Sequence, residues 1–459
     1  MAPARLNGGM SVTPAPQPRL VLQPAATGQR RSALMVGESA QVLKRFHFLE
    51  RELVRMAAGW LPGTTDWETK LLLPEVLWQD ALVARSLRER VLELRYPERR
   101  IAIDQDAALV GLYANCLHAP SDLAFVMGLA RAVKPHLRGL LADYLKLADA
   151  LDDAPSVHLL EHALVDLDRQ LARLEAVTTE FATRRPELVA SAERWNAGVT
   201  AALAGATAER VFAATLPEFA AFDPSAAGGR TFAISRTGQR DARFTRVRFA
   251  WPDRHTPQPP GAGVQLQVRQ AIHHLNEVWA AEMAGACLYD LLEQAPHDFL
   301  EDAARWCFDE IRHCRMGYER LKQWGFSEAE MPLDAFSYDS GQHADAIVRL
   351  GVIFYFETTY IHTKPERAKI FGAEGDRLSS HDMDFDWADE LIHSHYGKKW
   401  LTHFLAQAGI QRTPIEIKQQ AEAGVLTFQQ SATTEDKAAT QAIFDRMMSK
   451  ARQRLESAA

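Results

Sequence analysis

Two short stretches of the 459-residue chain carry the same chemical arrangement. "FDEIRHCRM", 308–316, places Glu310 and His313 three residues apart, and "WADELIHSH", 387–395, does the same with Glu390 and His393. Positions three apart share one face of a helix, so each stretch can aim a carboxylate oxygen and an imidazole nitrogen at one point. A third acid, Glu357, stands alone in the apolar run "RLGVIFYFETTYIHTK", and a lone buried carboxylate is unfavourable without a cation. A fourth lies in "QAIHHLNEVWAAEMAGACLYDLL", where Glu277 and Glu282 both qualify. Glu277 precedes Glu310 by 33 residues and Glu357 precedes Glu390 by 33, as expected if two helical hairpins deliver ligands to one level. Glu282 has the more apolar helical neighbours, Leu275, Val278, Trp279, Gly285, Ala286 and Tyr289. Five residues turn a helix by roughly 140°, so the two acids cannot both point inward. Spacing favours Glu277; Glu282 stays open as the alternative.

Four glutamates would balance two divalent ions and contain the desolvation penalty of a buried cluster. Carboxylate oxygen with imidazole nitrogen suits iron or manganese. Cys116, Cys287, Cys307 and Cys314 form no C-x-x-C pair, which argues against iron–sulfur, structural zinc or a disulfide framework and fits a reducing cytoplasm.

The elements that must position these residues read as helices. Residues 1–37, rich in Pro, Ala, Gly and Gln, are expected to be a flexible tail. Helical periodicity sets in near Glu38 and continues to about residue 220. Residues 221–265 are rich in Pro and Gly, and "RTFAIS" and "RFTRVRF" alternate around "RTGQRD", which predicts a linker carrying a small hairpin. Four helical segments follow over 266–410, roughly Val268–Gln294, His297–Trp324, Ala344–Ile370 and His381–Ala408, with a helical extension over 411–459. Short loops pair the first two and the last two as antiparallel hairpins. The predicted fold class is therefore all-α: a four-helix bundle in the C-terminal half, an additional N-terminal helical domain and a strand-containing linker.

One Glu from each of two helices plus Glu-x-x-His from each of the other two resembles the ligand pattern of the ferritin-like di-iron and di-manganese carboxylate proteins. The order is similar to that of rubrerythrins, ribonucleotide reductase small subunits and tRNA-hydroxylating monooxygenases, and "HHLNEVWAAE" is similar to the first-ligand helix of the last group. The whole chain also resembles uncharacterised bacterial ferritin-like proteins. The resemblance implies a dioxygen-activating oxidoreductase or hydroxylase with two iron ions, or manganese or a mixed pair. Glu277 (or Glu282), Glu310, His313, Glu357, Glu390 and His393 would be its ligands. It further implies dioxygen, a small-molecule substrate and an electron donor as partners, with a homodimer compatible. The alternative is a non-catalytic metal-binding, storage or interaction protein.

Other features have plainer readings. Net charge −7 disfavours nucleic acid, and no apolar run approaches the ~20 residues of a membrane span. "HLLEH", 158–162, matches the H-x-x-E-H of inverted zinc peptidases, but that chemistry needs a further downstream Glu on an α/β scaffold, whereas this region is helical and no Glu occurs between Glu218 and Glu277. The same region is similar to the 293–319 segment, with Asp168 and Leu171 falling near Glu310 and His313, so the N-terminal half reads as a degenerate repeat that has lost its ligands. Tyr289, Tyr318, Tyr355, Tyr360 and Cys314 read as packing residues, and His362, His381 and His395 as surface or capping groups. The acidic "HDMDFDWADE" reads as complementing a helix N-terminus.

Overall fold

Several of the long helices start where a side chain satisfies one of the free backbone N–H groups. Asp66 accepts from Thr69 N at 3.0 Å, Asp345 from Val348 N at 2.8 Å and Asp376 from Ser379 N at 3.0 Å. The computed structural model describes residues 33–250 and 262–458; the expected tail falls almost wholly outside them, as does part of the linker. The described residues are mostly helical. Counting helices of ten residues or more, the N-terminal half holds α1 (Val36–Trp60), α2 (Trp67–Leu94), α3 (Lys134–Leu147), α4 (Ala154–Arg184) and α5 (Pro186–Leu203). The C-terminal half holds α6 (Gly263–Asn276), α7 (Val278–Leu291), α8 (His297–Gln323), α9 (Ala346–Thr359), α10 (Lys364–Ala373), α11 (Arg377–Gln407), α12 (Pro414–Gln430) and α13 (Thr434–Ala458).

Packing in the C-terminal half closes a ring: α8 lies against α6 and α7, α7 against α9, and both α8 and α9 against α11. Two glycines permit close approaches between the helices of this ring. A Cβ on Gly317 of α8 would collide with the backbone of Ala271 and Leu275, and one on Gly397 of α11 with the ring of Phe354. The N-terminal half joins along the first hairpin, α1 on α7 and α2 on α8, so one hydrophobic core runs through both halves. No helix among the described residues is long and apolar enough to cross a membrane.

The expected linker hairpin does not form. The strand pairing observed is parallel, Thr245–Arg246 with Pro332–Leu333, and "RTFAIS" is not a strand. The backbone groups of this segment find partners on the helical body instead. Phe232 N meets His118 Nδ1 at 3.1 Å, Gln239 N donates to Pro62 O at 2.9 Å and Gly238 N to Asp339 at 2.8 Å. Alternating side chains signalled extended backbone, but which partner it takes is a tertiary matter.

Candidate metal centre

The first of the four expected ligand helices is broken at the residue of interest. Glu277 has φ −68° and ψ −4° between α6 and α7, its N–H bonded three residues back to His274 O and its carbonyl three residues on to Ala280 N. Tightened turns inside a helix often mark functional positions. The break leaves the Glu277 carboxylate in the ring of helices. There, Glu277, Glu310 and His313 bring ligand atoms within 4.8 Å of one another, and so do Glu310, Glu357, Glu390 and His393. Glu310 belongs to both groups, and all six residues are buried.

Within these groups His313 Nδ1 lies 3.5 Å from Glu277 and 3.6 Å from Glu310, while His393 Nδ1 lies 2.9 Å from Glu310 and 3.8 Å from Glu357. Glu277 Oε2, Glu310 Oε1, His313 Nδ1 and His393 Nδ1 are nonetheless buried without a hydrogen-bond partner. Buried polar atoms are rarely left so. Four such atoms converging, all hard oxygen or imidazole nitrogen, fit divalent ions of the iron or manganese type.

The opposite edge of each imidazole is held by the other motif. His313 Nε2 is 3.2 Å from Asp389, the residue before Glu390, and His393 Nε2 is 3.4 Å from Asp309, the residue before Glu310. Arg305 and Arg312 hold Asp309 at 2.7 and 2.6 Å, and Arg312 reaches Asp389 at 3.1 Å. Burial opposes ionisation of Asp309, but its bonds to His393 and Arg305 bring its carboxyl down to about 2. Burial likewise opposes charge on both imidazoles. Asp386 beside His313 and Asp309 beside His393 overcome it and hold both above the ordinary histidine range, so proton and metal ion compete for the same nitrogens. Trp306 closes the far side, its indole N–H donating to Glu357 at 3.1 Å while its ring lies 5.5 Å from that of His393. Carboxylates that orient ligating histidines typically contribute about 10–100-fold to metal affinity. Asp389→Ala is therefore expected to weaken metal binding by about that factor in a competitive chelator titration, and unchanged affinity would contradict the role.

Sequence reasoning overlooked these aspartates although their signal was present. The repeated unit is longer than Glu-x-x-His: "DEIRHCRMG" and "DELIHSHYG" share Asp-Glu-x-x-His-x-x-x-Gly, each glycine being the close-packing residue one turn past the histidine. The acidic run before His393 does not complement a helix N-terminus, because α11 begins at Arg377; Asp386 and Asp389 point into the ring. Glu282 is not at the centre either. Five residues beyond Glu277, it faces away from the centre, pairing with Lys70 of the N-terminal half and, at 2.7 Å, with Arg240 of the linker segment. The apolar stripe around it marked burial, not coordination.

The remaining candidates take ordinary places. His158, Glu161 and His162 are exposed on α4. Asp168 is exposed and paired with Arg138, so it does not occupy a ligand-like position. The buried polar residues of the N-terminal helices include Glu50, Asp80, Lys134 and Gln170 instead. Lys134 Nζ bonds Asp80 at 2.7 Å and Gln170 at 2.8 Å, and burial, with Asp80 nearby, pushes the Glu50 carboxyl well above its usual range. Cys314 is buried with its thiol on Leu275 O, and His362, His381 and His395 are exposed.

No curated protein and no solved structure matches the chain. One family model does, across residues 207–454, a span that includes all six clustered ligand candidates and both crossed aspartates. That span is more than half of the sequence, and the chain belongs to this family, DUF455, whose members are described as proteins of unknown function.

Proposed function

We propose that this protein is a ferritin-like di-metal carboxylate oxidoreductase, with the ring of α6/α7, α8, α9 and α11 as its four-helix bundle. The observation that carries the reading is the pair of Asp-Glu-x-x-His units on α8 and α11. Each offers a histidine Nδ1 and a glutamate to a shared buried point and an aspartate to the other's histidine. In this reading Glu277 and His313 would hold one ion and Glu357, Glu390 and His393 the other, with Glu310 available to both. Iron is the first choice of metal, with manganese or a mixed pair chemically close.

A ferrous pair would supply electrons for the reduction of dioxygen. The chain's own contribution is to hold four carboxylates and two imidazoles in a water-poor interior, with Asp309 and Asp389 fixing the rings and Trp306 steadying Glu357. Beside Glu277 a cavity of about 10 Å³, lined by His273, Asn276 and Trp279 among others, is on the scale of one water-sized molecule. An electron donor completes the expected partners, and the four buried free cysteines suit a reducing cytoplasm.

The test is anaerobic loading with ferrous ion followed by admission of dioxygen. Two ions per chain and rapid dioxygen uptake are expected. Accumulation of ferric iron far beyond two per chain would favour storage, and a chain that takes up no ferrous ion would end the di-metal reading.

A further inference from the structure

Lys364 is a buried cation that none of the ligand helices supplies. It is the first residue of α10, the short helix inserted between α9 and α11. Its Nζ lies 2.6 Å from Asp386 Oδ1 and 2.8 Å from Glu390 Oε1. Arg367, one turn further on, gives its Nη1 to Gln270 at 2.9 Å instead of to a carboxylate.

Asp386 is a fifth carboxylate at the centre, fully buried, with Oδ1 3.4 Å from His313 Nδ1 and Oδ2 3.4 Å from His274 Nε2. His274, Glu277 and Asp386 also bring ligand atoms within 4.8 Å of one another, and Glu277 Oε2 is one of the buried oxygens without a hydrogen-bond partner. The donors for one more cation are therefore assembled beside the two glutamate–histidine groups, and an ammonium already sits on one of them.

We propose that Lys364 sets the metal count: its ammonium takes up Asp386, the carboxylate that with His274 and Glu277 would otherwise hold a third divalent ion. The inference rests on the di-metal reading. Asp309 and Asp389 are matched by Arg305 and Arg312, so the four glutamates and Asp386 with one ammonium leave four negative charges, which two divalent ions neutralise. Without the ammonium a buried carboxylate is left uncancelled and must either take up a proton or coordinate a cation; the neighbouring donors His274 and Glu277 supply the second course. A buried ammonium also sits among polar side chains in the N-terminal half, where Lys134 bonds Asp80 and Gln170.

The experiment is equilibrium dialysis of the full chain against manganous ion, with bound manganese counted by elemental analysis and folding checked by circular dichroism. The wild type is expected to hold two ions per chain, Lys364→Met three, and Lys364→Arg two. Combining Lys364→Met with Asp386→Asn should return the count to two. Should the methionine variant fail to fold, Lys364→Gln, which keeps an N–H donor for Asp386, is expected to hold three. A folded Met or Gln variant that holds two ions or fewer, beside a wild type that holds two, overturns the proposal and leaves the di-metal reading intact. A wild type that binds no manganese overturns that reading and the proposal with it.

Discussion

Glu310→Ala is expected to lose both metal ions, where Glu357→Ala loses one. Glu310 is shared between the two clusters: His313 Nδ1 lies 3.6 Å from one of its oxygens and His393 Nδ1 2.9 Å from the other. Glu357 reaches only the His393 side. Removing Glu310 takes away one of four balancing charges and the donor common to both positions, so two cations would face each other across a low-dielectric gap with less to screen them. Metal analysis of the purified variants reads the outcome directly, and dioxygen uptake by ferrous-loaded protein should fall with the metal. Equal losses from both substitutions would show that Glu310 is not shared. Full retention in Glu310→Ala would remove the residue from the centre.

Glu282→Ala separates the two acids of the first ligand helix by the opposite signature. Its carboxylate is 0% exposed, and its partners Lys70 and Arg240 are 2% and 1% exposed. Burial brings the Lys70 ammonium down to about 8 in spite of Glu282, a measure of how poorly solvated the group is. Deleting the acid strands two cations in the interface between the halves. Breaking a buried ion pair from one side typically costs about 3–5 kcal/mol. A drop of about that size in the urea unfolding free energy is expected, with the metal count of the surviving folded protein unchanged. Glu277→Ala should do the reverse, losing metal with a smaller change in stability. If Glu282→Ala abolished metal binding while leaving unfolding unaffected, the assignment of the two residues would have to be exchanged.

The contrast between Glu277 and Glu282 shows where reading the chain succeeds and where it stops. The 33-residue spacing that pairs Glu277 with Glu310 and Glu357 with Glu390 is a property of two hairpins of equal reach, and it pointed to the acid found in the cluster. The apolar surroundings of Glu282 were equally real, but burial does not say against what a residue is buried. Lys70 lies 212 residues away in sequence, and nothing local announces it.

Most of the helices and the two Glu-x-x-His pairs follow from local rules: a period of 3.6, capping acids and the facing of positions three apart. So does the longer Asp-Glu-x-x-His-x-x-x-Gly repeat, though its aspartates and glycines acquire meaning only when α8 and α11 face each other. Of the four expected C-terminal segments, the first breaks at Glu277 and the third between Thr359 and Lys364. What the tertiary structure alone decided is every relation between distant segments. It turned the expected hairpin into a parallel contact of Thr245–Arg246 with Pro332–Leu333, seated α1 and α2 on the first ligand hairpin, and brought Lys364 from an inserted helix onto Asp386. The physical reason is common to all three. Helical periodicity is imposed by bonds four residues apart, whereas a buried charge or an unpaired backbone N–H is satisfied by whichever partner the packing brings within about 3 Å, at whatever distance along the chain.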